Sequence, residues 1–589
     1  MSSSYTSSAG KPRVIVDSEI ERVIKSILKL CGTHKATISI RRRVGDGPYE
    51  HEVKSITTTL RHPKQHVTDN GKDVFHIASL TKPLVAAAVM IAGLSVPAKQ
   101  PSSSRFQKFR GIPFPKVYND ASTDRIESLP GNPDSYSLLF HEHGLHSKTH
   151  QLVAPLGQPI MGLKHAKNSL FGPKIKGKGV DRALDEWVGY SNVNYVAVAL
   201  GIEALSGSNL ESFMNVTLFE PLGMLTTTMG SPVDGSTSNR GWVVDSNGFQ
   251  QEIARPTYRA DGAETAAFGA HSTAHDLDLF FKFLIDTFHA KGRDTPIPGF
   301  DLGHLSTLLT ERLKTPGGDP FRSLGLFVPF DSPLIGDLSI NRAQFPEERF
   351  TTYTVAPTEI RMLDAMRSGT NAAEEPDTKV PKVFYMAGSA IACSCATSFY
   401  LDIDKSFAIV VLTDTSGPVD AADHILRLLL QRMVIWLLDG EVVPGLIQPN
   451  DVEAMVEQAM NRSTLAWRHI EHTQKQEVKN APAILKAIEG LYKGEGFDQV
   501  LKISKRHGQL RIAVNGPLMV DRPAELDLVW IDHLTVNMHI PPHLSVDWLG
   551  KGDWSNTRFS VESKEGTVIA LTREMPHGHE RYLKISSTS

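Results

Sequence analysis

Ser79 and Lys82 are the residues of this sequence whose types and spacing point most directly to chemistry. Residues three apart on a helix share a face, so the Lys82 amine can reach the Ser79 hydroxyl. A serine hydroxyl is a poor nucleophile until a base removes its proton. A lysine can be that base if burial and the positive end of a helix lower its pKa. An N-cap serine followed by a surface lysine gives the same short pattern, so its surroundings must distinguish the two readings.

The sequence around this pair predicts a strand followed by a buried helix. A strand-like apolar run ends at Ala78, and the segment after Lys82 is rich in Ala and Val on nearly every face, which is typical of an enclosed helix. Pro83 is tolerated only in the first turn of a helix, so we expect the helix to begin near Ser79. Both reactive groups would then lie at its positive end.

A second polar cluster, Tyr190 to Asn192, precedes another apolar helix that we predict over Val196 to Leu205. A tyrosine at such a place is commonly a core residue with a satisfied hydroxyl. With an asparagine two residues later and the Ser79 pattern upstream, Tyr190 is also a candidate proton carrier.

The remaining pattern predicts a mixed α+β fold. Asp17 to Leu30 indicates an amphipathic helix, and 37–40 a strand. Residues 383–389 indicate a further strand, and a hairpin turn at 402–405 precedes an apolar strand. A helix from about Ala421 to Leu438 would cover the sheet.

The domain organisation that we predict has four parts. Residues 1–16 form a disordered tail, 17–440 the catalytic domain, 441–484 a linker with a helix, and 485–589 a small, mostly β domain. Within the catalytic domain, 96–132 are rich in Pro, Ser and charge, which predicts an insertion or a lid over a site.

Composition excludes some classes of partner. The chain has 589 residues, 41% of them hydrophobic, and a formal net charge of -3. This length predicts two or more domains. Nucleic acid or an anionic membrane would favour a strongly basic patch, so we expect neither as a partner.

Cysteine usage and the absence of targeting signals predict a cytoplasmic protein. Cysteine occurs only at Cys31, Cys393 and Cys395, an odd set with two members too close together for an ordinary bridge. The first residues lack the apolar core of a signal peptide. The most apolar later stretch, 425–438, is interrupted by two arginines and predicts a buried helix, not a membrane span.

His141 and His143, with a glutamate between them, suggest a zinc site at first sight. On a helix the two imidazoles would face different ways, and no further ligand is evident. We therefore expect no metal and no cofactor.

These segments resemble the serine β-lactamase and penicillin-binding-protein superfamily. The closest branch holds class C β-lactamases, family VIII esterases, D-aminopeptidases and lovastatin-type acyltransferases. The resemblance implies an α/β sandwich, an antiparallel sheet covered by helices, with an all-helical subdomain; the trailing β domain is similar to lipocalin-like extensions. It is carried, in the family's order, by Phe75 to Lys82, Leu138 to Leu145, Tyr190 to Asn192, Phe219 to Met224 and Asp402 to Leu412.

The resemblance also implies roles for single residues. Ser79 would attack an acyl carbonyl while Lys82 and Tyr190 share the proton transfers. The backbone N–H groups of Ser79 and Ser389 would form the oxyanion hole. Asn192 would orient the substrate or the Lys82 amine.

One departure from the family pattern bears on the substrate. Met386 stands where the family has the cation of Lys-Thr-Gly or His-x-Gly, and an apolar side chain cannot make a charge-assisted bond to a carboxylate. Gly388 is retained, as close approach of an acyl group to the strand requires. We count both among the substrate-binding residues and expect a neutral ester, thioester or amide.

The leading hypothesis is a serine-dependent acyl-transfer enzyme, a hydrolase or acyltransferase, that acts on a small molecule of specialised metabolism. A peptidase-like amidase is one alternative. Another is a binding protein that keeps the fold without the chemistry, as the absent cation and Ala392, in place of a family glycine, would allow. The sequence does not predict the oligomeric state.

Overall fold

The computed structural model of the chain is described here over part of its length. The ranges are 14–58, 71–94, 139, 149–154, 157–166, 191–232, 240–245, 247–290, 295–298, 300–309, 322–323, 326–327, 383–437, 449–474, 485–517, 524–532, 534–540, 557–575 and 578–586.

A seven-stranded antiparallel sheet forms the centre of the larger domain. The strand order is β2-β1-β7-β6-β5-β4-β3, so strands from the two ends of the domain pair at its middle. The strands are β1 (Lys35–Val44), β2 (Glu50–Thr57), β3 (Arg322–Ser323), β4 (Leu326–Phe327), β5 (Val383–Ala390), β6 (Cys393–Tyr400) and β7 (Lys405–Thr413).

The two faces of this sheet contribute to different cores, because successive side chains of a strand point in opposite directions. On β5, Tyr385 and Ala387 pack into the core that includes the first helix of the domain. Phe384 and Met386 pack into the other core, which includes the central apolar helix. The second face is therefore the one that meets Ser79.

Within the described ranges, six helices have 13 residues or more. Helix α1 shows why such segments form: the Asp17 side chain caps it by accepting from the backbone N–H of Ile20 at 2.9 Å, and its apolar residues recur on one buried face. The helices are α1 (Ser18–Leu30), α2 (Thr81–Leu94), α3 (Asn192–Ser206), α4 (Ala274–His289), α5 (Ala421–Leu437) and α6 (Pro449–Gln474).

Short elements complete the larger domain. Three two- or three-residue strands form one small sheet, and three more strands form another. The first sheet holds Phe75–His76, Ala270–Ser272 and Thr228–Met229; the second holds Thr415–Ser416, Arg240–Val244 and Gln250–Ala254. The helical turns are Ala78–Leu80, Thr149–Leu152, Leu210–Met214, Asn215–Phe219, Glu220–Leu222, Thr265–Gly269 and Leu302–Leu309.

The C-terminal residues form a closed eight-stranded barrel. After a short helix, Leu485–Ile488, each strand is antiparallel to the next, and the last pairs with the first. Leu501 and Ile503 are buried whereas Lys502 between them is exposed, the alternation of a filled barrel. The strands are β8 (Gly490–Gly494), β9 (Val500–Arg506), β10 (Gln509–Asn515), β11 (Ala524–Trp530), β12 (Thr535–His539), β13 (Arg558–Lys564), β14 (Thr567–Met575) and β15 (Gly578–Ser586).

The structure confirms the predicted fold class: helices cover an antiparallel sheet, and a small β domain follows. It corrects the boundary of the predicted tail. Ile15 and Val16 are buried and donate backbone N–H groups to the Glu52 carboxylate at 3.0 Å each, so they belong to the fold. The predicted lid at 96–132 lies outside the described residues.

The helices begin and end close to their predicted positions, with one informative difference. Helix α3 begins at Asn192, four residues before the predicted Val196, so the asparagine is part of the helix and not of the preceding loop. Within the described ranges, no helix is long and apolar enough to cross a membrane.

Candidate active site

Ser79 lies in the tight turn Ala78–Leu80 that joins a two-residue strand to α2, and it is half-buried. Ala78 before it has φ 43°, in the left-handed region that costs an L-residue roughly 1–2 kcal/mol. The Thr81 hydroxyl stabilises this turn by donating to the Ala78 carbonyl at 2.7 Å and accepting from the Ala270 N–H at 3.2 Å. A strained backbone thus presents the serine at the start of a buried helix.

Lys82 is fully buried one turn into the same element, and its amine contacts three oxygens of residues in the described ranges. Nζ lies 3.2 Å from Ser79 Oγ, 2.9 Å from Asn192 Oδ1 and 2.7 Å from the Ala267 carbonyl oxygen. Burial lowers the pKa of Lys82 well below its usual range. Burial therefore favours the neutral form of the amine.

The hydrogen-bonding roles of these oxygens determine whether a neutral Lys82 amine can accept a proton. The carbonyl oxygens of Asn192 and Ala267 only accept, so they take both N–H groups of the neutral amine. A neutral amine that gives both N–H groups to these oxygens keeps its lone pair for the Ser79 hydroxyl 3.2 Å away, which could then donate to it. This arrangement suits a general base for Ser79.

Asn192 is positioned by the first turn of α3. Its Oδ1 faces Lys82, and its Nδ2 donates to the Thr149 hydroxyl at 3.0 Å. One turn further along α3, the Tyr195 ring lies 5.5 Å from Lys82 Nζ, and its hydroxyl donates to the Leu139 carbonyl at 3.4 Å. The Tyr195 ring therefore packs over the amine.

The Ala267 carbonyl belongs to the buried turn Thr265–Gly269, which several side chains stabilise. His76 Nε2 donates to the Phe268 carbonyl at 2.5 Å, and its ring stacks on Tyr258 with centroids 4.6 Å apart. The Thr265 hydroxyl donates to the Arg259 carbonyl at 2.6 Å. These contacts keep the turn against Lys82.

Strand β5 passes directly beside the Ser79 backbone at Gly388. A Cβ atom on Gly388 would lie 2.9 Å from the Ser79 nitrogen, closer than real Cβ contacts allow, and a tight 3.1 Å from the Ile77 carbonyl oxygen. Glycine is therefore required for the approach of two backbones. Ser389 follows Gly388 on the same strand and is half-buried.

Met386 lies two residues earlier on the same face of β5 and is fully buried in the core with Phe384 and Cys395. An apolar side chain thus occupies the position where the family pattern has a cation. Its predicted contact with substrate stays a prediction.

The structure brings together Ser79, Lys82, Asn192, Gly388 and the strand that bears Ser389. Tyr190 lies outside the described residues, as do His141 and His143. Among the residues that are described, no group of three His, Cys, Asp or Glu side chains could hold a metal ion.

Sequence reasoning did not identify Thr149, Tyr195 or Ala267 as part of this site. Tyr195 had a usable signal, since it lies one helical turn after Asn192 and so shares its face. Thr149 and the Ala267 carbonyl had none, because each contributes through contacts distant in sequence.

Comparison with known proteins is consistent with this geometry. The β-lactamase family matches residues 173–432, a range that contains Asn192 and β5 to β7 but begins after Lys82. This match confirms the predicted resemblance to the serine β-lactamase and penicillin-binding-protein superfamily over that range. No curated protein sequence matches the chain.

Several solved structures are similar to the chain at low identity. One is an octameric penicillin-binding protein homologue from Pyrococcus abyssi, 14% identical, with a TM-score of 0.47 over 96% of this chain and 99% of that one. Another is D-amino acid amidase from Ochrobactrum anthropi SV3, 14% identical, with a TM-score of 0.44 over 72% of this chain and 100% of that one. A third is a class C β-lactamase from Rhodobacter sphaeroides, 14% identical, with a TM-score of 0.42 over 71% and 100%.

Proposed function

We propose that this protein, whose residues 173–432 match the β-lactamase family, is a serine-dependent acyl-transfer enzyme that works through an acyl-enzyme on Ser79. The observation that carries the proposal is the set of contacts around Lys82 Nζ. Within the described ranges, two carbonyl oxygens accept its N–H groups, and the Ser79 hydroxyl lies 3.2 Å away. A surface lysine after an N-cap serine would have no such enclosure.

The acylation step follows from these contacts. Ser79 Oγ bonds to the acyl carbonyl carbon while its proton moves to Lys82, and the carbonyl oxygen becomes an oxyanion. The N–H groups of Ser79 and Ser389 would stabilise that oxyanion, an effect worth about 2.7–4 kcal/mol per donor. Collapse of the tetrahedral adduct breaks the bond to the alcohol, thiol or amine, which leaves with a proton supplied from Lys82 through Tyr190.

The deacylation step reverses these proton transfers. Water, an alcohol or an amine attacks the acyl-enzyme, gives its proton to Lys82 or Tyr190, and Ser79 is released with its proton restored. A hydrolase and an acyltransferase differ only in this acceptor, so exclusion of water from the closed site decides between them.

The substrate that we propose is a neutral ester, thioester or amide of a small molecule, in specialised metabolism. Support comes from the buried Met386, which offers no charge to a substrate carboxylate. We also propose a cytoplasmic location. The three cysteines are all buried, and none forms a disulfide within the described part of the chain, which suits a reducing compartment.

The experiment that tests the proposal is intact-protein mass spectrometry after mixing with p-nitrophenyl esters, acyl N-acetylcysteamine thioesters and a penicillin. We expect the ester or thioester to add its acyl mass to the wild type at Ser79, and Ser79→Ala to show no adduct. Ser208→Ala, which removes an exposed hydroxyl after α3, is the matched control and should react like the wild type. If the wild type forms no adduct and releases no product, the proposal is wrong and the binding-protein hypothesis replaces it.

A further inference from the structure

The Asn192 amide has a hydrogen-bond partner outside the Ser79 and Lys82 pair. The Thr149 hydroxyl accepts a hydrogen bond from Asn192 Nδ2 at 3.0 Å. An amide that donates to Thr149 with its nitrogen must present its oxygen on the opposite side, which is where Lys82 Nζ lies at 2.9 Å. Because a hydroxyl can also donate, Thr149 fixes the position of the amide, and the Lys82 amine, which needs an acceptor, selects its oxygen.

Thr149 begins the short helix Thr149–Leu152, whose third residue contacts the C-terminal barrel. Gln151 is buried, and its Nε2 donates to Glu580 Oε1 on β15 at 2.8 Å. The two residues are separated by 429 positions in the chain. One four-residue element therefore touches the asparagine beside Lys82 with its first residue and the barrel with its third.

The barrel end of this contact is rigid. Glu580 Oε2 accepts from the Arg573 guanidinium at 2.5 Å, and Arg573 is fully buried. The Tyr582 hydroxyl completes the cluster by donating to Gln499 Oε1 at 2.6 Å. A buried, charge-assisted network of this kind resists displacement, because separating its members leaves buried charge uncompensated.

A second contact joins the barrel to the segment beside the short helix. A Cβ atom on Gly516, after β10, would lie 2.0 Å from Ile160 Cγ2 and 2.5 Å from the Ile160 carbonyl oxygen. The Ile160 N–H donates to the Leu152 carbonyl at 2.8 Å, so the Ile160 backbone is bonded directly to the short helix. The barrel and the helix thus meet in van der Waals contact as well as through Gln151.

We propose that the helix Thr149–Leu152 couples the C-terminal barrel to the catalytic lysine, with Thr149 as the positioning residue for Asn192 and the Gln151 to Glu580 bond as the anchor. This inference rests on the proposed function and assigns the barrel a part in the same site. The barrel holds Gln151, the helix places the Thr149 hydroxyl, and that hydroxyl keeps the Asn192 oxygen on Lys82.

The test is the pH dependence of Ser79 acylation in Thr149→Val and Thr149→Ser, measured from the burst of p-nitrophenol. Valine keeps the shape of the side chain but cannot accept from Asn192. We expect the acylation rate to fall about 10- to 100-fold, since small misplacements of a base have effects of that size. The acid limb of the profile should also move to lower pH, because losing a carbonyl acceptor disfavours the ammonium form. Thr149→Ser restores the acceptor, so it should restore both the acylation rate and the position of the acid limb. A pH profile of unchanged shape in Thr149→Val would overturn the proposal.

The anchor is tested with Gln151→Met, which removes the donor to Glu580 and keeps a similar volume. We expect it to lower the acylation rate in the same direction as Thr149→Val, and the two effects to be less than additive because they act through one path. Arg581→Gln, which breaks an exposed ion pair on the same strand, is the matched control and should leave the rate unchanged. Full additivity, or an unchanged rate in Gln151→Met, would contradict coupling through the helix.

A readout that needs no catalysis separates this proposal from the proposed function. The side-chain amide signal of Asn192 in selectively ¹⁵N-asparagine-labelled protein reports its hydrogen bond directly. We expect that signal to shift in Thr149→Val and Gln151→Met and to stay in place in Arg581→Gln. If the wild type is not acylated at Ser79, the proposed function fails, and this signal still decides the positioning role: no shift in either variant refutes it.

Discussion

Glu264 lies immediately before the turn that supplies the Ala267 carbonyl to Lys82, and its titration should control the pH dependence of stability. The side chain is fully buried, and neither carboxyl oxygen has a hydrogen-bond partner among the described residues. Burial raises the pKa of Glu264 from 4.5 to about 8. Its own backbone N–H and the charge of Arg259 oppose this rise, and the charge of Asp261 adds to it. The carboxyl is therefore protonated in the folded protein at neutral pH.

The sign of the effect follows from proton binding in the two states. Between the unfolded and folded pKa values the native state holds a proton that the unfolded state has lost, so stability decreases as pH rises. Each pH unit in this interval corresponds to about 1.4 kcal/mol. In the wild type we expect this group to lower the free energy of unfolding by about 4 kcal/mol from pH 5 to pH 9.

The assay is urea unfolding of the wild type and Glu264→Gln at intervals across that pH range. Glutamine has nearly the same shape and does not titrate. The variant should therefore become more stable relative to the wild type as pH rises. A difference in unfolding free energy that is the same at every pH would reflect only the replacement of the carboxyl group by an amide, not titration. Glu220→Gln, at an exposed glutamate, controls for the change of net charge. Parallel curves for the wild type and Glu264→Gln would refute the reasoning.

Three further predictions concern the turn that holds the nucleophile. The rate of acylation should fall as pH drops through the lowered pKa of Lys82, since the ammonium cannot accept a proton; a burst rate independent of pH in the acid range would contradict this. Gly388→Ala should cost about 1–3 kcal/mol in urea unfolding and slow the labelling of Ser79, because the new Cβ would lie 2.9 Å from the Ser79 nitrogen; normal labelling at full stability would argue against the contact. Thr81→Val removes the partner of the Ala270 N–H, so it should lower the free energy of unfolding by about 1–3 kcal/mol and reduce the melting temperature, whereas Thr81→Ser should not. Equal losses of stability in both variants would point to packing instead.

Local patterns determined much of the fold. The period of apolar residues and the Asp17 cap define α1, the all-round apolar character of the segment after Lys82 predicts a buried α2, and alternation predicts the C-terminal strands. The three-residue spacing was also enough to predict that the Lys82 amine reaches Ser79, because both lie on one continuous element.

Contacts between distant segments were decided only by the tertiary structure. Nothing near Asn192 in the sequence indicates that Thr149 orients its amide, or that the Ala267 carbonyl completes the environment of Lys82. The sequence suggested that Gly388 admits an acyl group to the strand. In the structure, Gly388 lets the strand approach the Ser79 backbone itself, a contact that no local pattern encodes.

By itself, the sequence determined the elements and the pair at their junction, because helix periodicity, capping and strand alternation depend on neighbouring residues. The tertiary structure decided which oxygens surround Lys82 and how the barrel reaches them. Residues such as Gln151 and Glu580 lie 429 positions apart, and only the packing of the two domains brings their side chains within hydrogen-bond distance.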